Sequence, residues 1–323
     1  MSALPAVSAS PAFRRLALLL AATLMAAMAF SAAARAEPVQ EFGFQIKDIA
    51  PGGAYTIVFR ANSFDTTGAP PPLVTENNLR LAAGVTIRPE FLKKDYQCNV
   101  EHVRDALLAR EPGRPYTQRL ENLAATLKRT RKTIRPGLAP GVETCIRAQV
   151  GRGSVLADAR PSFVDPAPAN LFIYLAKPTV KGAKAALGVL VVLDEKSVFF
   201  KNNPFLQTLR LTFTVNIFDE PTPDGLYGYK LVLPGGGAAG VRVSLAEIQV
   251  TTPGLSQVKK TVTCLKKRKG KCVKKKVTTK KTFWLTQPAC PTTGQLGFEA
   301  FYKYETGATT TKTGQIPCPL FKL

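Results

Sequence analysis

Thr208-Leu209-Arg210-Leu211-Thr212-Phe213-Thr214-Val215-Asn216-Ile217 is the stretch on which the fold turns. Leu209, Leu211, Phe213, Val215 and Ile217 fall on one side of an extended chain, and Thr208, Arg210, Thr212, Thr214 and Asn216 on the other. Alternation of period two held over ten residues marks a strand with one buried and one wet face, as antiparallel sheets have. The pattern recurs at Phe42, Phe44 and Ile46, at Tyr55, Ile57 and Phe59, and at Leu296, Phe298, Ala300, Tyr302 and Tyr304. Leu187-Gly188-Val189-Leu190-Val191-Val192-Leu193 is apolar on both faces, which predicts a central strand. Pro70-Pro71-Pro72, Pro221-Thr222-Pro223-Asp224-Gly225 and Pro234-Gly235-Gly236-Gly237 read as loops between strands. Roughly a dozen strands with this punctuation predict a mainly β chain, an antiparallel β-sandwich.

One segment breaks the pattern. Over 95–135 apolar residues recur at helical spacing: Val100, Val103 and Leu107, then Leu120, Leu123, Ala124 and Leu127. Glu111-Pro112-Gly113-Arg114-Pro115 divides the run, so a helical-hairpin insert is expected. Its C-terminal end carries Lys128, Arg129, Arg131, Lys132 and Arg135, cations suited to that pole of a helix.

Near its start the chain carries Arg14-Arg15, an apolar run from Leu16 to about Phe30, and the small-residue step Ala34-Arg35-Ala36. These parts predict a signal peptide over 1–36, cleaved after Ala36, leaving residues 37–323 as one β domain. The alternative is a retained N-terminal anchor, because Leu16 to Ala34 spans 19 residues, near bilayer length. Phe13 precedes the arginine pair, which favours general export over a twin-arginine route. The expected location is extracellular or in the cell envelope, with no membrane span after cleavage. The whole chain has a formal net charge of +22, and losing Arg14, Arg15 and Arg35 leaves +19. That surplus favours anionic partners such as envelope or matrix polymers, and export argues against nucleic acid as a physiological one. With 18 Phe, 8 Tyr and one Trp, there is little material for a sugar- or base-stacking platform.

Six cysteines permit fifteen pairings, and spacing favours nearest neighbours. Cys98–Cys145 would bracket the helical stretch, and Cys290–Cys318 the last two strands. Cys264–Cys272 would cross a hairpin centred on Arg268, with the two cysteines opposite each other. Each bridge would contribute roughly 2.5–4 kcal/mol, least for the smallest loop. There is no C-x-x-C and the sole histidine is His102, so no metal site and no cofactor is expected.

The hairpin containing Cys264 and Cys272 is the one segment whose chemistry rises above its background. An extended β-hairpin over 257–285 carries Lys259, Lys260, Lys266, Lys267, Arg268, Lys269, Lys271, Lys274, Lys275, Lys276, Lys280 and Lys281 with no acid among them. Thr261, Val262, Thr263, Val273, Val277 and Thr278 supply β propensity. The expected register sets Lys260 against Lys276, a repelling pair. Such an arm serves either as a basic finger for a polyanion or as a solvated arm whose lysines guard an edge against aggregation. The export signal excludes a nuclear-localisation role for Lys266–Lys269.

Other candidates are weaker. His102 lies in the predicted helix without a nucleophile motif beside it, and Gly-x-Ser-x-Gly is absent. Asp219, Glu220 and Asp224 form the densest acidic group, the candidate for carboxylate-based glycoside hydrolysis, and their spacing matches no EF-hand loop for calcium. Its prolines and Asp224-Gly225 read as an exposed turn. Gly151-Arg152-Gly153 and Gly235-Gly236-Gly237 lack the strand–loop–helix setting of a phosphate loop and read as turns or bulges.

The chain resembles a group of uncharacterised secreted proteins of high-GC soil actinobacteria. The shared landmarks are Phe42-Gly43-Phe44, Cys98, Cys145 followed by Val150-Gly151-Arg152-Gly153, Pro288-Ala289-Cys290-Pro291, the aromatic strand Phe298 to Tyr304, and Pro317-Cys318. The resemblance implies a sandwich-like fold and the same cysteine pairing, and no activity or ligand. This chain departs from the group in the long stretch between its first two cysteines and in the Lys-rich hairpin. The expectation is a secreted or cell-envelope, non-enzymatic structural or binding protein that attaches to anionic polymers through the hairpin, helped by Lys128–Arg135. The alternatives are an envelope polysaccharide hydrolase using carboxylates and a pure scaffold or adhesin module.

Overall fold

The alternating segments become strands of one long antiparallel sheet. The computed structural model describes residues 39–50, 53–65, 71–103, 141–158, 166–194, 210–235, 242–251, 255–268, 271–287 and 290–319. The signal segment 1–36 and residues 104–140, with most of the helical insert and Lys128–Arg135, lie outside them. The strands are β1 (Val39–Ala50), β2 (Ala54–Phe64), β3 (Val74–Ala82), β4 (Thr86–Ile87) and β5 (Gln149–Asp158). Next come β6 (Ala167–Ala176), β7 (Ala185–Leu193), β8 (Arg210–Asp219), β9 (Tyr227–Pro234) and β10 (Arg242–Thr251). The last are β11 (Ser256–Arg268), β12 (Lys271–Phe283), β13 (Leu285–Thr286), β14 (Gln295–Tyr304) and β15 (Thr309–Pro317).

Eleven of them pair in the order β1-β2-β10-β5-β6-β7-β8-β9-β3-β14-β15, while β11 with β12 and β13 with β4 form two separate ribbons. The sheet curls until β1 comes alongside β15, so it is nearly closed and barrel-like. A single curled sheet thus does the work expected of two facing ones: period-two alternation demands a buried face without specifying which strands cover it.

The registers place the predicted apolar residues on the inner face. Leu211, Phe213, Val215 and Ile217 of β8 stand opposite Val191, Val189, Leu187 and Ala185 of β7. Phe44 and Ile46 stand opposite Phe59 and Ile57. Side chains rather than backbone bonds cover the seam. Phe298 packs against Phe42 and Phe44, with ring centroids 5.4 and 5.0 Å away, and faces Gly314 on β15. A Cβ at Gly314 would lie 2.1 Å from Cζ of Phe298, so only glycine leaves room for that ring.

β7 holds the sixth place of eleven, as its two-sided hydrophobicity predicts. Its outer face is covered by the segment after Cys98: a Cβ at Gly188 would meet Val100 Cγ1 at 2.6 Å. That segment corrects the helical expectation at its start. Lys94–Tyr96 is a 3-10 turn, Cys98 bridges to Ala176, and the helix opens only at Val100. Cys98 N–H donates to the Leu175 carbonyl at 2.8 Å, so the chain here pairs with the sheet before it can coil. Gly151 and Gly153 sit within β5 and not in a turn, and the register shifts at Gln149 and Gly151 as a bulge would make it; a Cβ at either glycine would lie 2.5 and 2.4 Å from the carbonyls of Gln249 and Glu247. All three expected disulfides are present: Cys98–Cys145, Cys264–Cys272 and Cys290–Cys318.

Candidate functional site

Antiparallel order brings most of the irregular chain to one end of the sheet. The β1–β2 turn, the ends of β3 and β10, the 3-10 turns, the helix Val142–Arg147 and the starts of β9 and β14 all lie there. So do the Cys98–Cys145 and Cys290–Cys318 bridges and the small ribbon of β4 and β13. The arm, β11 with β12, leaves from this end between β10 and β14.

Its base is fixed by burial. Leu255, Phe283 and Trp284 are buried, and Trp284 N–H donates to the Leu255 carbonyl at 3.3 Å. Arg88 N–H donates to the Trp284 carbonyl at 2.9 Å, and Gln257 Nε2 donates to Tyr96 Oη at 2.9 Å. Lys281 Nζ lies 5.1 Å above the Phe283 ring, a cation held over an aromatic face. Gln257, Tyr96 and Trp284 carry no sequence signal for this role, since only the fold brings them together.

Past the base the arm is a free-standing ribbon. Thirteen residues per strand correspond to about 40 Å of reach. Lys259, Lys260, Lys266, Lys271, Lys275, Lys276 and Lys280 are all exposed. Lys267, Arg268 and Lys274 take their places in the strand register, and Lys269 lies outside the described residues.

The register differs from the expected one. Arg268 pairs with Lys271, leaving only residues 269 and 270 to connect the strands, so the hairpin is not centred on Arg268. A two-residue connection is the shortest that joins antiparallel strands, and it shifts every pair of the stem. Lys260 faces Thr279 and Lys276 faces Thr263, so the predicted repelling pair is replaced by Lys259 opposite Lys280, Lys266 opposite Lys274 and Arg268 opposite Lys271. Cys264 faces Lys275 and Cys272 faces Lys267, so the cysteines are not directly opposed. Register shifts around Leu265 and Val273 bring their Cα atoms to 5.8 Å, and the bridge forms.

The two faces of the ribbon differ in chemistry. One carries Lys259, Lys280, Thr261, Thr278, Thr263 and Lys276. The other carries Val258, Val262 and Val277 with Lys260, Lys275 and Lys281, and also Thr279 and Cys264. Val262 and Val277 read from the sequence as β formers; only the register sets them opposite each other, on the face that also carries Val258.

The other candidates are engaged elsewhere. Asp219 accepts from Lys184, Glu220 pairs with Arg80 at 2.9 Å and Lys230 at 3.6 Å, and Arg80 also holds Glu299 at 3.0 Å. Asp224 accepts from the Thr222 hydroxyl and the Leu226 N–H, which hold its carboxyl below the usual range. His102 is exposed, and no group of three potential metal-ligating side chains occurs among the described residues. Comparison of the chain with family models, curated proteins and solved structures returns no match.

Proposed function

We propose that this is a non-enzymatic attachment protein of the extracellular space or cell envelope, which docks its basic arm on an anionic polymer. The observation that carries this reading is the arm's uncompensated charge. Lys259 stands opposite Lys280 and Lys266 opposite Lys274, and no acid lies between residues 259 and 281 to neutralise them. Like charges paired across strands destabilise an unbound ribbon, and an anion laid along it relieves that repulsion. The buried base and the Cys264–Cys272 bridge restrict the arm before binding, which lowers the ordering cost of docking.

Export is supported by the three disulfides, which persist in oxidising compartments. Among the described residues no helix is long and apolar enough to cross a membrane. The ion pairs of Asp219 and Glu220 and the turn hydrogen bonds of Asp224 support the non-enzymatic part. A sandwich-like flattening of the barrel, a helical hairpin in the insert and kinship with the secreted actinobacterial group complete the proposal, on the sequence patterns given above.

The test is retention on heparin and on isolated wall polymer across a salt gradient. Changing the arm lysines to glutamine should move elution to clearly lower salt, since each phosphate- or sulfate-bound cation adds about 0.7–0.9 to the log–log salt slope. Unchanged elution of a folded glutamine variant refutes the proposal.

A further inference from the structure

The arm's charge is one part of its surface. Among the described residues eight large apolar side chains stand exposed, and five belong to the arm: Val258, Val262, Leu265, Val273 and Val277. Each of the five leaves more than half of its surface in water, 54–57%. Val262 and Val277 are directly opposed, and Val258 lies two pairs nearer the base on the same face. Leu265 and Val273 fall at the two register shifts, near the tip. A ribbon that had only to stay soluble would carry threonine there, as its other face does at Thr261, Thr263 and Thr278. A soluble anionic polysaccharide offers nothing apolar for these side chains to enter. A second copy of the arm would bring Lys260, Lys275 and Lys281 against their own equivalents, stacking like charges. The occupant that suits both groups has anionic headgroups over a hydrocarbon layer.

We propose that the valine face of the arm docks on an anionic lipid bilayer, with Lys260, Lys275 and Lys281 at headgroup phosphates and Val258, Val262 and Val277 in the apolar layer beneath. The inference rests on the reading of the arm as a basic docking element and names its partner. Lysine on a long apolar stem reaches the headgroup plane while valine, shorter, seats below it. The geometry is that of an interfacial element lying in the membrane surface, not of a span.

The experiment is co-sedimentation of the disulfide-intact chain, without residues 1–36, with vesicles of phosphatidylcholine containing about 30 mol% phosphatidylglycerol. Pure phosphatidylcholine vesicles and a heparin column run beside it. The variant changes Val258, Val262 and Val277 to threonine, which keeps shape, charge and β propensity. The expected result is binding to the anionic vesicles only, with the variant about tenfold weaker there, roughly twofold per valine withdrawn from the hydrocarbon. Heparin elution of the variant stays unchanged. Equal vesicle binding by variant and parent overturns the inference, as does release from vesicles at the salt that strips heparin. Retention on heparin with no vesicle binding overturns the lipid assignment and leaves the polyanion reading standing; failure on both removes both. A concentration-dependent dimer that the threonine variant abolishes assigns the valines to a second copy and overturns the proposal.

Discussion

Replacing Gly314 by alanine tests how the sheet is closed. An alanine in place of a strand glycine ordinarily stabilises, by about 0.5–1 kcal/mol, because it restricts the unfolded chain. Here the added methyl would sit 2.1 Å from Phe298 Cζ, and two further ring carbons lie within 2.7 Å. The ring must withdraw by about 1.5 Å to reach ordinary contact. Phe298 is 7% exposed and wedged against Phe42 and Phe44, so withdrawal breaks both pairs that cover the seam. Two aromatic pairs at about 0.5–1.5 kcal/mol each, plus overpacking strain of about 1–3 kcal/mol, less the ordinary gain from alanine, predict a net loss of about 1–5 kcal/mol. At about 2–4 °C per kcal/mol the midpoint of thermal unfolding falls by roughly 2–20 °C. Urea unfolding followed by Trp284 fluorescence and far-ultraviolet dichroism reads the same loss. Changing Phe298 to leucine in the alanine background should recover part of it, a coupling that an unrelated fault would not produce. Gly43→Ala is the control, since its Cβ would meet Arg60 Cβ at an ordinary 3.8 Å. A Gly314→Ala protein as stable as the parent, or more so, refutes the side-chain account of the seam.

Burial pushes the phenols of Tyr55, Tyr174 and Tyr302 above the usual tyrosine range. The folded state keeps them protonated while unfolded tyrosines ionise near pH ~10, so stability is full below that pH and falls as pH rises beyond it. In an alkaline titration read at the tyrosinate absorbance, part of the signal should appear only together with unfolding; a single smooth phase in the folded state counts against it. Changing Cys264 and Cys272 to serine should lower the salt at which the protein leaves heparin while leaving barrel unfolding within about 0.5 kcal/mol of the parent, because the bridge joins only strands of the arm. A matching loss of barrel stability would show that the arm is not an independent ribbon. Intact-mass analysis of exported protein should give Glu37 as the first residue, and non-reducing peptide maps should recover only the three neighbouring bridges. A start before Leu16 would instead mean a retained anchor.

The legible parts of this chain were those set by neighbours a few residues apart. Alternation at Leu211 to Ile217 and at Leu296 to Tyr304 located strands and their buried faces, since side chains of a strand alternate whatever the partner. The two-sided run Leu187 to Leu193 located the central strand, and cysteine spacing the three bridges. The beginning of the helical segment is not legible, because periodicity around Asp95 cannot register that Cys98 pairs with the end of β6. The arm is legible by its charge but its register is not, because a shift of the turn by one residue changes every opposing pair. Hence the lysines were legible one by one, and the shared face of Val258, Val262 and Val277 was not.

What the sequence determined by itself is local: strand periodicity, apolar inner faces, cysteine neighbours and a run of cations without acids. Whether those faces cover a second sheet or one another was decided only in three dimensions. There Phe298 over Gly314 meets Phe42 and Phe44 from the opposite end of the strand order and draws one sheet into a near-barrel. Those residues lie more than 250 positions apart along the chain. Pairing over such distances depends on the accumulated twist and order of eleven strands, and no local pattern encodes that sum.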